Sequence, residues 1–137
     1  MSPAPLREWR EVTPERFRAE IAPNYEPAVL RGLAAGWPAV ERGRRSTREL
    51  VDYLAGFDRG AAVEAFVGPP DTAGRYFYSD DMCGFNFERR RGAFGEVLRS
   101  VESLAGRPDA PCIYVGAAPV PDCLPGFAAE NGIDLIA

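Results

Sequence analysis

Glycine and proline punctuate this chain densely, with 14 glycines and 13 prolines among 137 residues. That is about a fifth of the sequence against roughly an eighth in an average protein. Glycine loses the most backbone freedom on folding, and proline lacks the amide hydrogen that ladders and helix interiors use. Such a chain favours many short elements joined by turns, with β structure prominent. Hydrophobic residues make up 46% of the sequence, enough for a core, and the length fits one domain over residues 1–137.

The helices are legible from their ends. Thr13-Pro14-Glu15 predicts a start, with Thr13 as N-cap and Pro14 in the first helical position, and Pro23 ends the element after Phe17 and Ile21. Ser46 and Glu49 form a capping box in which hydroxyl and carboxylate can each satisfy the other's backbone amide, and Gly56 closes the helix that follows. Phe94, Val97, Leu98, Val101, Leu104 and Ala105 recur at helical spacing, with Glu96, Arg99 and Glu102 facing outward and Gly106 as the stop.

Strands are expected at 27–32 and 61–67, the latter broken by Gly68-Pro69-Pro70, and as a compact buried-type strand at 112–116. Arg75-Tyr76-Phe77-Tyr78 reads as an aromatic strand, and Phe85-Asn86-Phe87 alternates like another. Trp37-Pro38 reads as loop, Arg89-Arg90-Arg91 as a solvated turn that could also touch a phosphate or an acidic partner, and residues 119–137 as mostly loop ending on an apolar stretch at 133–137.

Composition excludes several functions. The net charge is −4, and all 16 basic residues are arginine, a bias of the bacterial, arginine-preferring type. An acidic chain is a poor candidate for nucleic-acid binding. No apolar run approaches the roughly 18 residues of a membrane span, and the N-terminus has no signal-type stretch, so the chain reads as cytoplasmic. Cys83, Cys112 and Cys123 show neither a CxxC pair nor zinc spacing and are expected as free thiols. Histidine is absent. A Ser-His-Asp triad, a His₃ zinc site and a His/carboxylate iron site therefore cannot be assembled from this chain. Nor is there a glycine-rich phosphate loop or a nucleophile elbow. Asp80-Asp81 offers two carboxylates without a third ligand, which suits a turn with Asp80 capping backbone amides better than a metal site. Trp9 and Trp37 read as packing residues, and Asn86 as a hydrogen-bonding partner of a neighbouring strand.

Four phrases, in this order and spacing, resemble the cupin-like (cupin 8, JmjC-related) family of Fe(II)/2-oxoglutarate oxygenases. They are Pro27-Ala28-Val29-Leu30-Arg31-Gly32-Leu33 with Gly36-Trp37-Pro38-Ala39; Tyr76-Phe77-Tyr78-Ser79-Asp80-Asp81-Met82 with Gly84-Phe85-Asn86-Phe87; Ile113-Tyr114-Val115-Gly116; and Leu124-Pro125-Gly126-Phe127. The resemblance implies an α+β fold: the N-terminal helices and strands of a double-stranded β-helix, its barrel incomplete here. It implies a hydroxylase using Fe(II) and 2-oxoglutarate on a protein or small-molecule substrate. By resemblance, Tyr114 matches a tyrosine that hydrogen-bonds the distal carboxylate of 2-oxoglutarate, the alternative being a core tyrosine. Tyr76 and Tyr78 match the substrate entrance, the alternative being aromatic packing, with one of the pair expected inward and the other outward. The family's His-x-Asp/Glu…His iron triad has no counterpart in this sequence, and no lysine is present to pair with the co-substrate. The chain is accordingly expected to be a truncated, inactive N-terminal portion prone to self-association through open strand edges. The alternative is a non-enzymatic α+β module that binds a protein partner.

Overall fold

The structure, a computed structural model, describes residues 5–135. Strand β1 (Arg7–Arg10) pairs in parallel with β2 (Ala28–Arg31), Trp9 lying opposite Leu30. Between them the expected helix start forms. Thr13 Oγ1 accepts the Arg16 amide at 3.2 Å, and Pro14 opens α1 (Pro14–Arg16), which widens into a π-turn (Phe17–Ile21) and closes in a 3-10 turn (Ala22–Asn24).

The loop expected at Trp37-Pro38 is corrected. Pro38 is the first residue of helix α2 (Pro38–Arg45), where its missing amide hydrogen costs nothing because first-turn amides have no partner within the helix. Trp37 cannot cap it. The cap comes from 92 residues away, where Asn131 Oδ1 accepts the Ala39 amide at 3.0 Å. Ser46 joins α2 to α3 (Thr47–Ala55), its hydroxyl accepting the Glu49 amide at 3.0 Å. Only that half of the capping box forms. The Ser46 amide already donates to the Arg42 carbonyl at 3.1 Å, so the Glu49 carboxylate turns to Arg45 at 3.4 Å.

Strand β3 (Ala62–Gly68) is the centre of an antiparallel sheet, flanked by β4 (Glu88–Ala93) and β5 (Cys112–Tyr114). The arginine run is thus an edge strand and not a turn. Arg89 reaches Glu64 across the ladder at 2.8 Å and Arg90 reaches Glu88 at 2.7 Å, and all three arginines stay solvated on an edge that tolerates them. Residues 75–78 and 85–87 do not form strands; a single bridge, Tyr78 to Phe85, is what remains of that pairing. Strand β5 stops at Tyr114 and is not buried, with Tyr114 51% exposed. The expected C-terminal loop instead contains two one-turn helices, α5 (Val120–Cys123) and α6 (Phe127–Glu130), Gly126 entering the second at a left-handed φ of 91°. Of the apolar ending, Leu135 is buried, while Ile136 and Ala137 lie outside the described residues.

Helix α4 (Phe94–Leu104) follows β4 directly and has the predicted extent. Its preceding residue, Ala93, has no side-chain acceptor, so Asp58 supplies one: its Oδ2 accepts the Gly95 amide at 3.2 Å. Val63, Cys123 and Leu124 form the buried centre, with Leu54, Phe57, Phe94, Val97 and Phe127 packed around them. All of this lies on one side of β3. On the other side Tyr76 and Phe87 pack against Phe66. A compact monomer of 15.0 kDa exposes about 7,000 Å², whereas this chain exposes 9793 Å². Among the described residues the strands make two separate sheets and no closed barrel.

Candidate functional site

Alternation along β3 decides where the site lies. Val63, Ala65 and Val67 turn to the helices, and Phe66 turns to the open side. Tyr114 sits opposite Phe66 in the β3–β5 register, ring centroids 6.0 Å apart. Tyr76 closes the triangle at 5.7 Å from Tyr114 and 6.3 Å from Phe66. Phe87 stacks on Phe66 at 4.7 Å and meets Tyr76 edge-on at 5.4 Å. From Phe87 a ladder runs outward: Phe85 stacks on Phe87 at 4.9 Å, Tyr78 on Phe85 at 5.5 Å, and Phe77 meets Tyr78 edge-on at 5.6 Å. Such pairs contribute about 0.5–1.5 kcal/mol each beyond area burial. A groove of about 540 Å³ runs beside the ladder, bounded by Phe85, Phe87, Arg90 and Pro111.

The segment bearing Tyr76 and Tyr78 is shaped by one amide side chain. Asn86 Oδ1 accepts the Phe77 amide at 2.8 Å, and its Nδ2 donates to the Arg75 carbonyl at 2.9 Å. The expected partnership of Asn86 with a neighbouring segment therefore holds, although that segment is irregular. The turn beyond it is held by Asp81, not Asp80: Asp81 Oδ1 accepts from the Ser79 hydroxyl at 2.6 Å and from the Cys83 amide at 3.0 Å. The Ser79 hydrogen bond, then the Cys83 amide, holds the Asp81 carboxyl below its ordinary range. Asp80 is exposed and forms no hydrogen bond or ion pair with a described residue.

Of the three tyrosines singled out by resemblance, the structure brings Tyr76 and Tyr114 together and leaves Tyr78 at the outer end of the ladder. Tyr76 is half-buried. Its hydroxyl is sealed from solvent without a hydrogen-bond partner among the described residues, and burial, with Cys112 nearby, pushes its phenol up. An unsatisfied buried hydroxyl is uncommon and calls for a partner. Tyr78 is 50% exposed. The inward and outward split of the pair is present, but strand alternation is not its cause, since residues two apart on a strand share a face. It follows from the Asn86-held bend and the Asp81 turn. The Tyr114 ring lies over Gly116, where an added Cβ would stand 2.8 Å from its hydroxyl.

Sequence reasoning missed Phe66 and Phe87 as the floor of the cluster. The signal was present in Phe66, the large residue out of phase with Val63, Ala65 and Val67. It also missed Arg89 and Arg91, which the register places opposite Phe66 and Glu64 on this same face. The tryptophans do more than pack. Trp37 Nε1 donates to the Gly132 carbonyl at 3.0 Å, and Trp9 is buried beneath the Arg7 and Arg16 guanidiniums at 4.3 and 5.3 Å.

The donor set meets the implied cofactors unequally. A carboxylate ligand would find neutral phenol donors in Tyr76 and Tyr114. Iron would not be held. The sequence has no histidine, and no three Cys, Asp or Glu side chains converge among the described residues. All three cysteines are free, Cys123 buried and Cys83 exposed. No described helix is long and apolar enough to cross a membrane. The family model for the cupin-like domain matches residues 14–137. No curated protein matches the chain.

Proposed function

This chain belongs to the cupin-like domain family, and on that premise we propose that it is the N-terminal, co-substrate- and substrate-facing portion of a hydroxylase-type Fe(II)/2-oxoglutarate oxygenase. In this reading it is a single cytoplasmic domain over residues 1–137 that does not act on nucleic acid or membranes, and it is inactive by itself. Fe(II) and 2-oxoglutarate supply the oxidising chemistry in a complete relative. No set of side chains among the described residues fits the metal, so no step is assigned to it here.

Tyr114 is the donor to the distal carboxylate of 2-oxoglutarate, Tyr76 lines the same pocket, and Tyr78 stands at the entrance for a protein or small-molecule substrate. The carrying observation is the Tyr76 hydroxyl, buried without a hydrogen-bond partner among the described residues, beside Tyr114 on the aromatic face of β3. A phenol there retains its proton near neutrality and can give it to a carboxylate oxygen in a hydrogen bond, without the cost of burying a cation.

The test is a 2-oxoglutarate titration of the full chain followed by calorimetry and by tyrosine ring NMR signals. Binding that is weakened by Tyr114→Phe and Tyr76→Phe, with no succinate released when Fe(II), ascorbate and oxygen are added, is expected. Indifference to both substitutions, or metal-dependent turnover of 2-oxoglutarate, refutes the assignment. A second reading, a non-enzymatic α+β module that docks a protein, is favoured by the exposure of Phe77, Tyr78, Met82 and Phe85.

A further inference from the structure

Strand β3 is central to its sheet over only part of its length. On one side it pairs with β4 over residues 62–67, but on the other β5 covers only residues 66–68. The Phe94 amide donates to the Ala61 carbonyl at 2.9 Å, which fixes the alternation of the ladder. Val63, Ala65 and Val67 therefore turn their main-chain groups to β4, while Ala62 and Glu64 turn theirs to the β5 side. No described residue takes them there. Past Tyr114 the chain leaves β3, because Ala117 has a left-handed φ of 54° that extended pairing does not allow. Gly116 and Ala118 would stand opposite Glu64 and Ala62 if the register continued, and they too lack a main-chain hydrogen bond to a described residue. Between these two walls lies a gap of about 260 Å³. We propose that the gap is a peptide-binding site, in which a basic, extended segment of another protein pairs as a strand with Ala62 and Glu64.

The chemistry of the walls names the occupant. A free amide and a free carbonyl on every second residue are complementary to an extended main chain. Both walls present them, so a strand entering the gap meets partners on either side. Closure by residues 116–118 of the same chain is opposed by the Ala117 turn and by the Tyr114 ring, which lies over Gly116 where an added Cβ would stand 2.8 Å from its hydroxyl. Ala62, Glu64 and Asp122 are exposed, so the site is reachable from solvent. The charged side chains lining it are Glu64 and Asp122, both carboxylates, and Asp122 forms no ion pair or side-chain hydrogen bond with a described residue. A basic side chain is attracted there and an acidic one repelled. The outer edge of β4, by contrast, carries Arg89 to Arg91 and repels the same segment.

The experiment adds the peptide acetyl-Arg-Val-Arg-Val-Arg-amide to the full chain and follows amide NMR signals and hydrogen exchange. The Ala62 and Glu64 amides, open in the free chain, are expected to shift and gain protection, while the Phe66 and Gly68 amides, already facing β5, keep theirs. The same peptide with its backbone amides N-methylated retains the charge but not the donors. It is expected to bind about tenfold more weakly, the equivalent of one net hydrogen bond, and so is the glutamate analogue. Asp122→Asn is expected to weaken the arginine peptide about threefold, with the far-UV circular dichroism unchanged. Equal binding of the N-methylated peptide overturns the proposal. So do Ala62 and Glu64 amides already protected in the free chain, protection that rises with chain concentration alone, shifts confined to residues 77–85, or no binding. The proposal is independent of the co-substrate reading: peptide binding without 2-oxoglutarate binding leaves it standing, and 2-oxoglutarate binding without peptide binding removes it alone.

Discussion

Replacing Asn131 with alanine is the most informative perturbation of the fold, because one buried side chain holds three elements together. Asn131 is only 4% exposed. Its Oδ1 accepts the Ala39 amide of α2 at 3.0 Å, and its Nδ2 donates to the Tyr53 hydroxyl of α3 at 2.8 Å and to the Phe127 carbonyl of α6 at 3.1 Å. Each bond contributes a net ~0.5–1.5 kcal/mol, and an amide left buried without a partner costs ~1–3 kcal/mol. The Tyr53 hydroxyl keeps a second partner, Glu130 Oε2 at 2.8 Å, so it is not orphaned. The Ala39 amide is, since Trp37 supplies no side-chain cap to α2. Summed with that allowance, Asn131→Ala should destabilise the chain by about 3 kcal/mol. Urea unfolding at one fixed protein concentration measures it, the fixed concentration removing any contribution from association. The midpoint should fall with the slope unchanged, and the Ala39 amide should lose hydrogen-exchange protection while amides of β3 keep theirs. A loss under about 1 kcal/mol, or an Ala39 amide still protected, refutes the hub. Tyr53→Phe removes one of the three Asn131 bonds together with the exposed bond to Glu130 and should cost about 1–2 kcal/mol, coupled to Asn131→Ala in a double-mutant cycle.

Three further outcomes follow from the geometry. Asp58→Ala should cost about 1 kcal/mol by uncapping α4, read in the same urea assay, and Gly95→Ala should be worse than helix propensity allows, because the new Cβ would stand 2.5 Å from Asp58 Oδ2. The Asp81 carboxyl is held below its ordinary range by Ser79 first and Cys83 second. The turn it secures is therefore fully supported near neutrality and loosens as pH falls through the lowered value; the Cys83 and Gly84 amide signals should shift in acid, and in Asp81→Asn that titration should vanish. Gly116→Ala should displace the Tyr114 ring, weakening any 2-oxoglutarate response while leaving α4 intact, which ring NMR signals from Tyr114 and Tyr76 can separate.

What was legible in the sequence was whatever local chemistry determines. Thr13 with Pro14, Ser46 with the Glu49 amide, and the apolar stripe of 94–105 specify helices within a few residues, and the structure follows them. The errors share one physical origin. Helix α2 was missed because its cap, Asn131, lies 92 residues away. Strand β4 was missed because a run of three arginines suits a strand only at an exposed sheet edge, where Glu64 and Glu88 pair with Arg89 and Arg90. Residues 75–78 have the composition of a strand, yet the Asn86 side chain satisfies the Phe77 amide and the Arg75 carbonyl that a ladder would otherwise claim. At the site, Tyr76 and Tyr114 were found by resemblance, whereas Phe66 needed the β3 register to be seen as their floor.

The two sides of β3 explain why such a chain can fold and still present a reactive-looking surface. The helix side is closed by polar ties that span long sequence distances: Asn131 to α2, Asp58 to α4, and Trp37 to Gly132, the last across 95 residues. The first two satisfy partly buried helix-start amides that would otherwise lack a partner. These ties fix the helices against Val63, Cys123 and Leu124 without calling on any aromatic of the opposite face. That face is free to keep a Tyr76 hydroxyl without a partner among the described residues and open rings at Phe77 and Phe85, features that a core under pressure to stabilise itself would have eliminated. Substitutions that fill the open face with smaller polar groups should therefore change binding and association far more than they change folding, and substitutions at the polar ties should do the reverse.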